Sequence, residues 1–425
     1  MTAGLAYSRG RRVEPLIYKR ILQVLATLVV LLAPFTWSYV GSVGGMLIRA
    51  VDVVLLLFIA TSILQWRITC SPPAVAFAVF GLVTLLMLRA AVYVDPSSFL
   101  AAIKISYYLF GALLLAPVIG GMIDDKSNRV TFFAALVAFP ILTHFLVTSA
   151  EIFIELFNAG TYSATTQLIK QGWTQIFSQN LFGSSDALDT RGQAFRNSAG
   201  IAFFVTALYF YLLDGVLNRV LMLGYMILAA LLFSRSVWLM QLFFLVLLIL
   251  KSKVFTKIFL LLIVSSLGAV IIASAEFSEA ISTRLNSGLG REEMMVVAFN
   301  EIDSVLLFGR EQGAMVVLPG GKEKHIHNVP IAYAFETGFL GFALALFIAA
   351  TFLRTGCKYF VQLVLSKHYD PRRLTVVVLI STILFIRPMI SASFDVYFSI
   401  GEWCAFALLM ALTSRFAGHT ESPRV

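Results

Sequence analysis

The chain has 425 residues, of which 59% are hydrophobic and 13% charged, with a formal net charge of +9. A soluble domain carries about twice that share of charge. The mean hydropathy of +0.88 arises from repeated apolar runs of about 17–25 residues, the length that crosses a bilayer. Composition excludes a soluble globular enzyme and predicts an all-α polytopic membrane protein, because a helix satisfies its own backbone in lipid.

In chain order, apolar runs predict about twelve transmembrane helices, near 21–40, 47–65, 74–93, 99–122, 130–150, 198–214, 219–234, 236–251, 257–275, 328–353, 374–391 and 398–414. Together they form a single integral membrane domain over 1–425. The basic N-terminal stretch leads into a run long enough to stay as a span, so no cleavable signal peptide is expected. An even number of spans puts both termini on one side.

Charge chooses the side. The N-terminal tail carries Arg9, Arg11, Arg12, Lys19 and Arg20, and Arg67, Lys126, Arg129, Arg219, Lys251, Lys253 and Lys257 fall on the same face by alternation. The loop "RTGCKYFVQLVLSKHYDPRR" and the C-terminal tail add to them. The positive-inside rule makes this face, with both termini, cytoplasmic. Positive charge in such short loops reports topology, so no nucleic-acid partner is expected. Cys70, Cys357 and Cys404 are far apart and suggest neither a disulfide framework nor a metal site.

Two large loops face outward, before spans 6 and 10: 151–197 and 276–327. The first contains Trp173 and Phe177, which read as part of an amphipathic surface helix, with rings open to stacking on a ligand as the alternative. Arg196 closes it, and Arg235 follows in "LLFSRSVWLM", a break of two or three residues at the outer surface. Arg235 reads as an interfacial arginine that snorkels or as a contact for a headgroup. In the second loop, "STRLNSGLGREEMMVVAFNEIDSVLLFG" starts a helix at an Asn-Ser-Gly turn, with Asn286 or Ser287 as its cap. Apolar residues recur along it at helical spacing, so it would lie on the membrane surface. Arg291 then falls in the first turn, where free amides favour an anion, unless it pairs with Glu292 or Glu293. Arg284 lies just upstream, Arg310 downstream.

The loop ends in His325, His327 and Asn328 at the mouth of the next run. No cysteine or carboxylate cluster accompanies the histidines, so no metal and no cofactor are expected. Arginines at headgroup depth suit forked phosphate contacts, and a histidine at the same depth can accept a proton near neutrality. A lipid carrying a diphosphate fits both.

The segment "HIHNVPIAYAFETGFLGF" resembles the His-Asn, Glu-x-Gly, Leu/Phe-Gly signature of the O-antigen ligase and O-antigen polymerase family. "FSRSVWL" resembles that family's Ser-Arg turn, "REEMMVVAFNEIDSVLLFG" its Arg-led helix, and "RNSAGIAFF", more loosely, the Asn-led start of an earlier span. The likeness covers about 195–355 by motif and the rest by topology. It implies a multi-pass glycosyltransferase of the bacterial inner membrane, inverting and metal-independent, with its active site facing the periplasm. The donor would be an undecaprenyl-diphosphate-linked glycan and the acceptor a glycan or lipid A–core hydroxyl. Membrane lipids would be its other partners. By the resemblance His327 is catalytic, and Arg235 and Arg291, with Arg284 as competitor, hold the diphosphate. Asn328, Arg196 and Arg310 are supporting residues. The Arg310–Gly321 spacing resembles some polymerases. The rival reading is a secondary transporter or a flippase for lipid-linked oligosaccharides, which predicts broken helices and charges converging at mid-membrane.

One feature of that segment is structural. In a continuous helix Glu336 would lie about 13 Å below His327, too deep to share its proton. An intramembrane carboxylate needs a partner, and Arg89, Lys104 and Arg387 are the candidates. Gly338 and Gly341 would admit a neighbouring helix.

Overall fold

The computed structural model describes residues 16–35, 39–43, 46–64, 74–94, 96–125, 129–140, 143, 188–231, 235–251, 289–305, 309–310, 315–318, 321–326, 328–365, 369–390 and 400–420. These hold the helices α1 (Leu16–Leu32), α2 (Ala50–Leu64), α3 (Ala74–Tyr93), α4 (Pro96–Asp125), α5 (Arg129–Pro140), α6 (Leu188–Leu212), α7 (Val216–Leu231) and α8 (Arg235–Lys251). Further along come α9 (Leu289–Val305), α10 (Val329–Leu365), α11 (Pro371–Ile390) and α12 (Ile400–Thr420). Two antiparallel hairpins join them, β1 (Tyr39–Val43) with β2 (Met46–Arg49), and β3 (Met315–Leu318) with β4 (Lys322–His325). The protein is a helical membrane protein. Among the described residues Ala74–Tyr93, Ser98–Asp125 and Val329–Leu365 are long and apolar enough to cross a bilayer, and five shorter apolar helices accompany them.

Several boundaries differ from the sequence expectation. The first span was expected to reach residue 40, but α1 stops at Leu32, because Pro34 disfavours helix in the residue before it. Residues 39–43 and 46–49 then pair as a hairpin, with Val43 opposite Met46. Strand β2 therefore takes 47–49, expected as the start of span 2. Helix α6 begins at Leu188, inside the segment expected as the first large loop. The remainder of that loop, with Trp173 and Phe177, and the span expected at 257–275 lie outside the described residues.

One end of the bundle is tied by ion pairs. Lys19 meets Asp125 at 2.7 Å, Arg372 meets Asp214 at 3.0 Å, and Arg373 and Arg415 share Asp124 at 3.0 and 2.6 Å. The start of α1, the end of α4, the α6–α7 junction, the start of α11 and the end of α12 thus share that end. Aromatic residues fill the interior. Phe35, Phe203, Phe210 and Tyr225 pack ring against ring. The last carbonyls of α1 are satisfied by side chains, Val30 O by Thr206 at 2.8 Å and Leu31 O by Tyr225 at 3.1 Å. A helix end buried without such donors would be costly.

The other end holds the main departure from expectation. Helix α10 is not continuous. Gly338 has φ 77° and ψ −164°, which splits it into a short segment, 329–337, and a long one, 339–365. A Cβ at Gly341 would lie 1.9 Å from Thr337 Oγ1 and 3.2 Å from Tyr333 O. The two glycines therefore serve a sharp bend of α10 upon itself, not the entry of a neighbouring helix. Helix lengths give the sense of the bend. Helix α4 from Ser98 to Asp125 is 28 residues long, about 40 Å, and the long segment of α10 is of similar length. Helix α11 is 20 residues long, about 30 Å. Asn328 bonds Met389 near the far end of α11, whereas Glu336 joins the tip of the α3–α4 hairpin through Arg89. The short segment hence runs outward, and Glu336 lies about 10 Å farther from the ion-pair end than Asn328. Glu336 thus lies outward of Asn328 rather than beneath it, while His327, the reference of the sequence expectation, lies outside the described residues.

Gly309 seats the chain against this bend. Its φ is +72°, and a Cβ there would stand 2.6 Å from the backbone carbon and oxygen of Glu336. Gly309→Ala is expected to cost about 1–3 kcal/mol from backbone strain alone, with the contact added, and to lower the midpoint of thermal unfolding in detergent. Gly321→Ala, with the same sign of φ but nothing within 4 Å, gives the control for strain without the clash.

Candidate functional site

The site grows from the short segment of α10. Asn328 is its cap: Oδ1 accepts the N–H of Ile331 at 3.2 Å, and Nδ2 donates to Met389 O at 3.3 Å. An asparagine cap satisfies an otherwise orphaned first-turn amide, and Pro330, in the same turn, has no amide to satisfy. The second bond staples the segment to α11. Farther along the segment Ile331, Ala332, Ala334 and Phe335 form a small apolar core with Met294 and Ala298 of α9 and Val316 and Leu318 of β3. This core is separate from that of the main bundle. Helix α9 buries Met294 and Ala298 one turn apart and exposes Val296 and Phe299. As expected, its first turn contains Arg291.

At the bend four charged groups meet. Arg89 Nη1 lies 2.7 Å from Glu336 Oε2 and also bonds Ser98 Oγ. Of the three cations expected as partners for Glu336, Arg89 takes the place. Arg387 lies elsewhere, with Nε 3.6 Å from Glu402 Oε1. Arg89 Nη2 reaches Arg310 O at 3.5 Å, and Arg310 N donates to Phe335 O at 2.8 Å. The Arg310 guanidinium pairs with Glu301 of α9 at 2.8 Å and stacks 4.5 Å from the Phe335 ring centroid.

The backbone of Arg235 opens α8, at the tip of a helical hairpin. Trp238 Nε1 donates to Ala230 O and Gln241 Nε2 to Met226 O across it. With α7 starting beside Asp214, this tip and the Arg196 turn of α6 belong to the end away from the ion pairs. His327 and Arg284 lie outside the described residues, as do Asn286 and Ser287. Gly321 has φ +77° and closes the β3–β4 turn, its N–H bonded to Leu318 O at 3.0 Å.

Sequence reasoning missed two features. The Arg310–Glu301–Phe335 arrangement joins residues from separate elements and leaves no periodic trace. The second is the Arg387–Glu402 pair, with both side chains only 4% exposed. Along α11 and α12 it lies about 20 Å from the ion-pair end, within the apolar slab. A cavity of about 30 Å³ adjoins it, lined by Val79, Phe352, Leu384 and Trp403 among others. Among the described residues the Glu402 carboxylate accepts no hydrogen bond. The signal was present: an acid in the first turn of an apolar run. No group of three metal-ligating side chains converges among the described residues.

No family model matches the chain, and no curated protein matches it.

Glu336→Ala is expected to cost about 3–5 kcal/mol by leaving Arg89 buried and uncompensated, while Arg89→Met with Glu336→Leu recovers most of it. Chemical unfolding of the purified variants reads both. Asn328→Ala is expected to cost about 1 kcal/mol as a lost cap.

Proposed function

We propose that the chain is a glycosyltransferase with twelve spans and both termini in the cytoplasm. It moves a glycan from undecaprenyl diphosphate to an acceptor hydroxyl at the periplasmic face of the bacterial inner membrane. The observation that carries this reading is the recessed start of α10. A helix capped by Asn328 and set about 10 Å inside the rim suits a reaction at headgroup depth, where a lipid-borne diphosphate lies. Support also comes from Arg291 in the first turn of α9, which packs on that helix, and from Arg235 at the tip of a helical hairpin.

In this mechanism the anomeric C1–O bond of the donor breaks and the electron pair leaves with the diphosphate. Guanidinium groups of Arg235 and Arg291, or Arg284 in place of the latter, offset the growing charge. The acceptor hydroxyl attacks C1 from the opposite face, and His327 takes its proton. The anomeric centre inverts. Repeat-unit polymerase and O-antigen ligase differ only in which hydroxyl enters.

A second reading, a secondary transporter or lipid-linked oligosaccharide flippase, is favoured by two observations: the broken α10 and the Arg387–Glu402 pair within the slab. The assay that separates them uses the purified protein in vesicles, an undecaprenyl-diphosphate glycan, and either a second copy or a lipid A–core acceptor. A ladder of products identifies a polymerase and an extended core a ligase. Lipid movement without bond formation identifies a transporter and overturns the proposal. His327→Ala is expected to reach the membrane and form no product. Arg235→Ala and Arg291→Ala are each expected to raise the donor KM about tenfold or more, the worth of a charge-assisted contact.

A further inference from the structure

Arg310 is the cation of the outer end whose surroundings are most fully described, and they are not those of a phosphate ligand in waiting. Its guanidinium is held at one edge by Glu301 and on one face by the Phe335 ring. Its peptide is held as well, the N–H by Phe335 O and the carbonyl by Arg89. Gly309 permits that peptide to lie against Glu336, where any Cβ would collide. Residues 309–310 therefore dock on the bend of α10 in a single register, and the Arg310 side chain extends from there to α9.

The elements so joined are the two that carry the proposed chemistry. Helix α9 bears Arg291 in its first turn, and the short segment of α10 begins at Asn328, next to His327. The two helices also share a small apolar core. Apolar packing is non-directional, so it leaves sliding of α9 along α10 weakly opposed. A stacked and paired guanidinium is directional.

We propose that Arg310 is a positioning residue of this same site: through Glu301 and Phe335 it sets the distance between the helix of Arg291 and the helix that follows His327 in the chain. The inference rests on the transferase reading for its catalytic consequence but not for its geometry. It differs from a phosphate contact in what must restore function. A ligand requires a cation at 310, whereas a tether requires only that the pair with 301 be complete.

The test uses the full chain with Cys70, Cys357 and Cys404 replaced by alanine and spin labels at Phe299→Cys on α9 and Phe339→Cys beyond the bend, both exposed positions. One narrow distance distribution is expected. Arg310→Ala and the milder Glu301→Gln should broaden it, and the exchange Arg310→Glu with Glu301→Arg should narrow it again. In the transfer assay the first two variants should lose about a hundredfold in kcat, as misplacement by about 1 Å does, with donor KM nearly unchanged, and the exchange should recover most of it. An unchanged distribution in both variants overturns the tether. A broadened distribution with unaltered kcat, or a raised donor KM that the exchange fails to restore, overturns the positioning role. If distances broaden while even the unsubstituted chain forms no product, the tether stands and the transferase reading falls. Should Arg310→Ala fail to fold, Glu301→Gln decides.

Discussion

The left-handed backbone at Gly338 governs this molecule's candidate site. Only glycine adopts that conformation at little cost, and the nine residues of helix before it run outward until the chain turns back across the membrane. A bend of this kind exposes carbonyls that the helix would have used. Here the Phe335 carbonyl is taken by Arg310 N–H, and Glu336 at the turn is neutralised by Arg89. Glycine at 309 is the complement of glycine at 338, since the docking peptide fits only without a side chain. The bend, the docked peptide and the buried ion pair form one structural unit, and none is intelligible alone.

That unit lies at one level of a molecule whose levels are set by charge. The ion pairs at the opposite end are exposed and individually weak. Their collective effect is to align the ends of α1, α4, α6, α11 and α12. Between the two levels, among the described residues, Arg387 and Glu402 form a buried ion pair. Burying two charges in the slab costs more than a close pair returns unless further groups assist.

The architecture also sets the depth at which α10 begins. A straight span would place its first residues at the surface, open to water. The bent one sets Asn328 below the rim while α9 and the β3–β4 hairpin close over it, as their shared apolar core with α10 demonstrates. Exposed Val296 and Phe299 on the outer side of α9 give that cover an apolar face suited to the membrane interface.

Much of this was legible in the chain beforehand. Apolar run length alone identified a helical membrane protein, because the bilayer imposes its thickness on every span. The Arg291 helix was equally readable, since a helix start and helical spacing depend on near neighbours in sequence. The glycines at 338 and 341 were noticed but misassigned: sequence spacing cannot tell a helix that another approaches from one that approaches itself. The direction of the short segment, the choice of Arg89 over Arg387 for Glu336, and the capture of Arg310 by Glu301 and Phe335 were decided only by tertiary structure. Each joins groups far apart in the chain or turns on which face of a bend they occupy, and no local pattern records either.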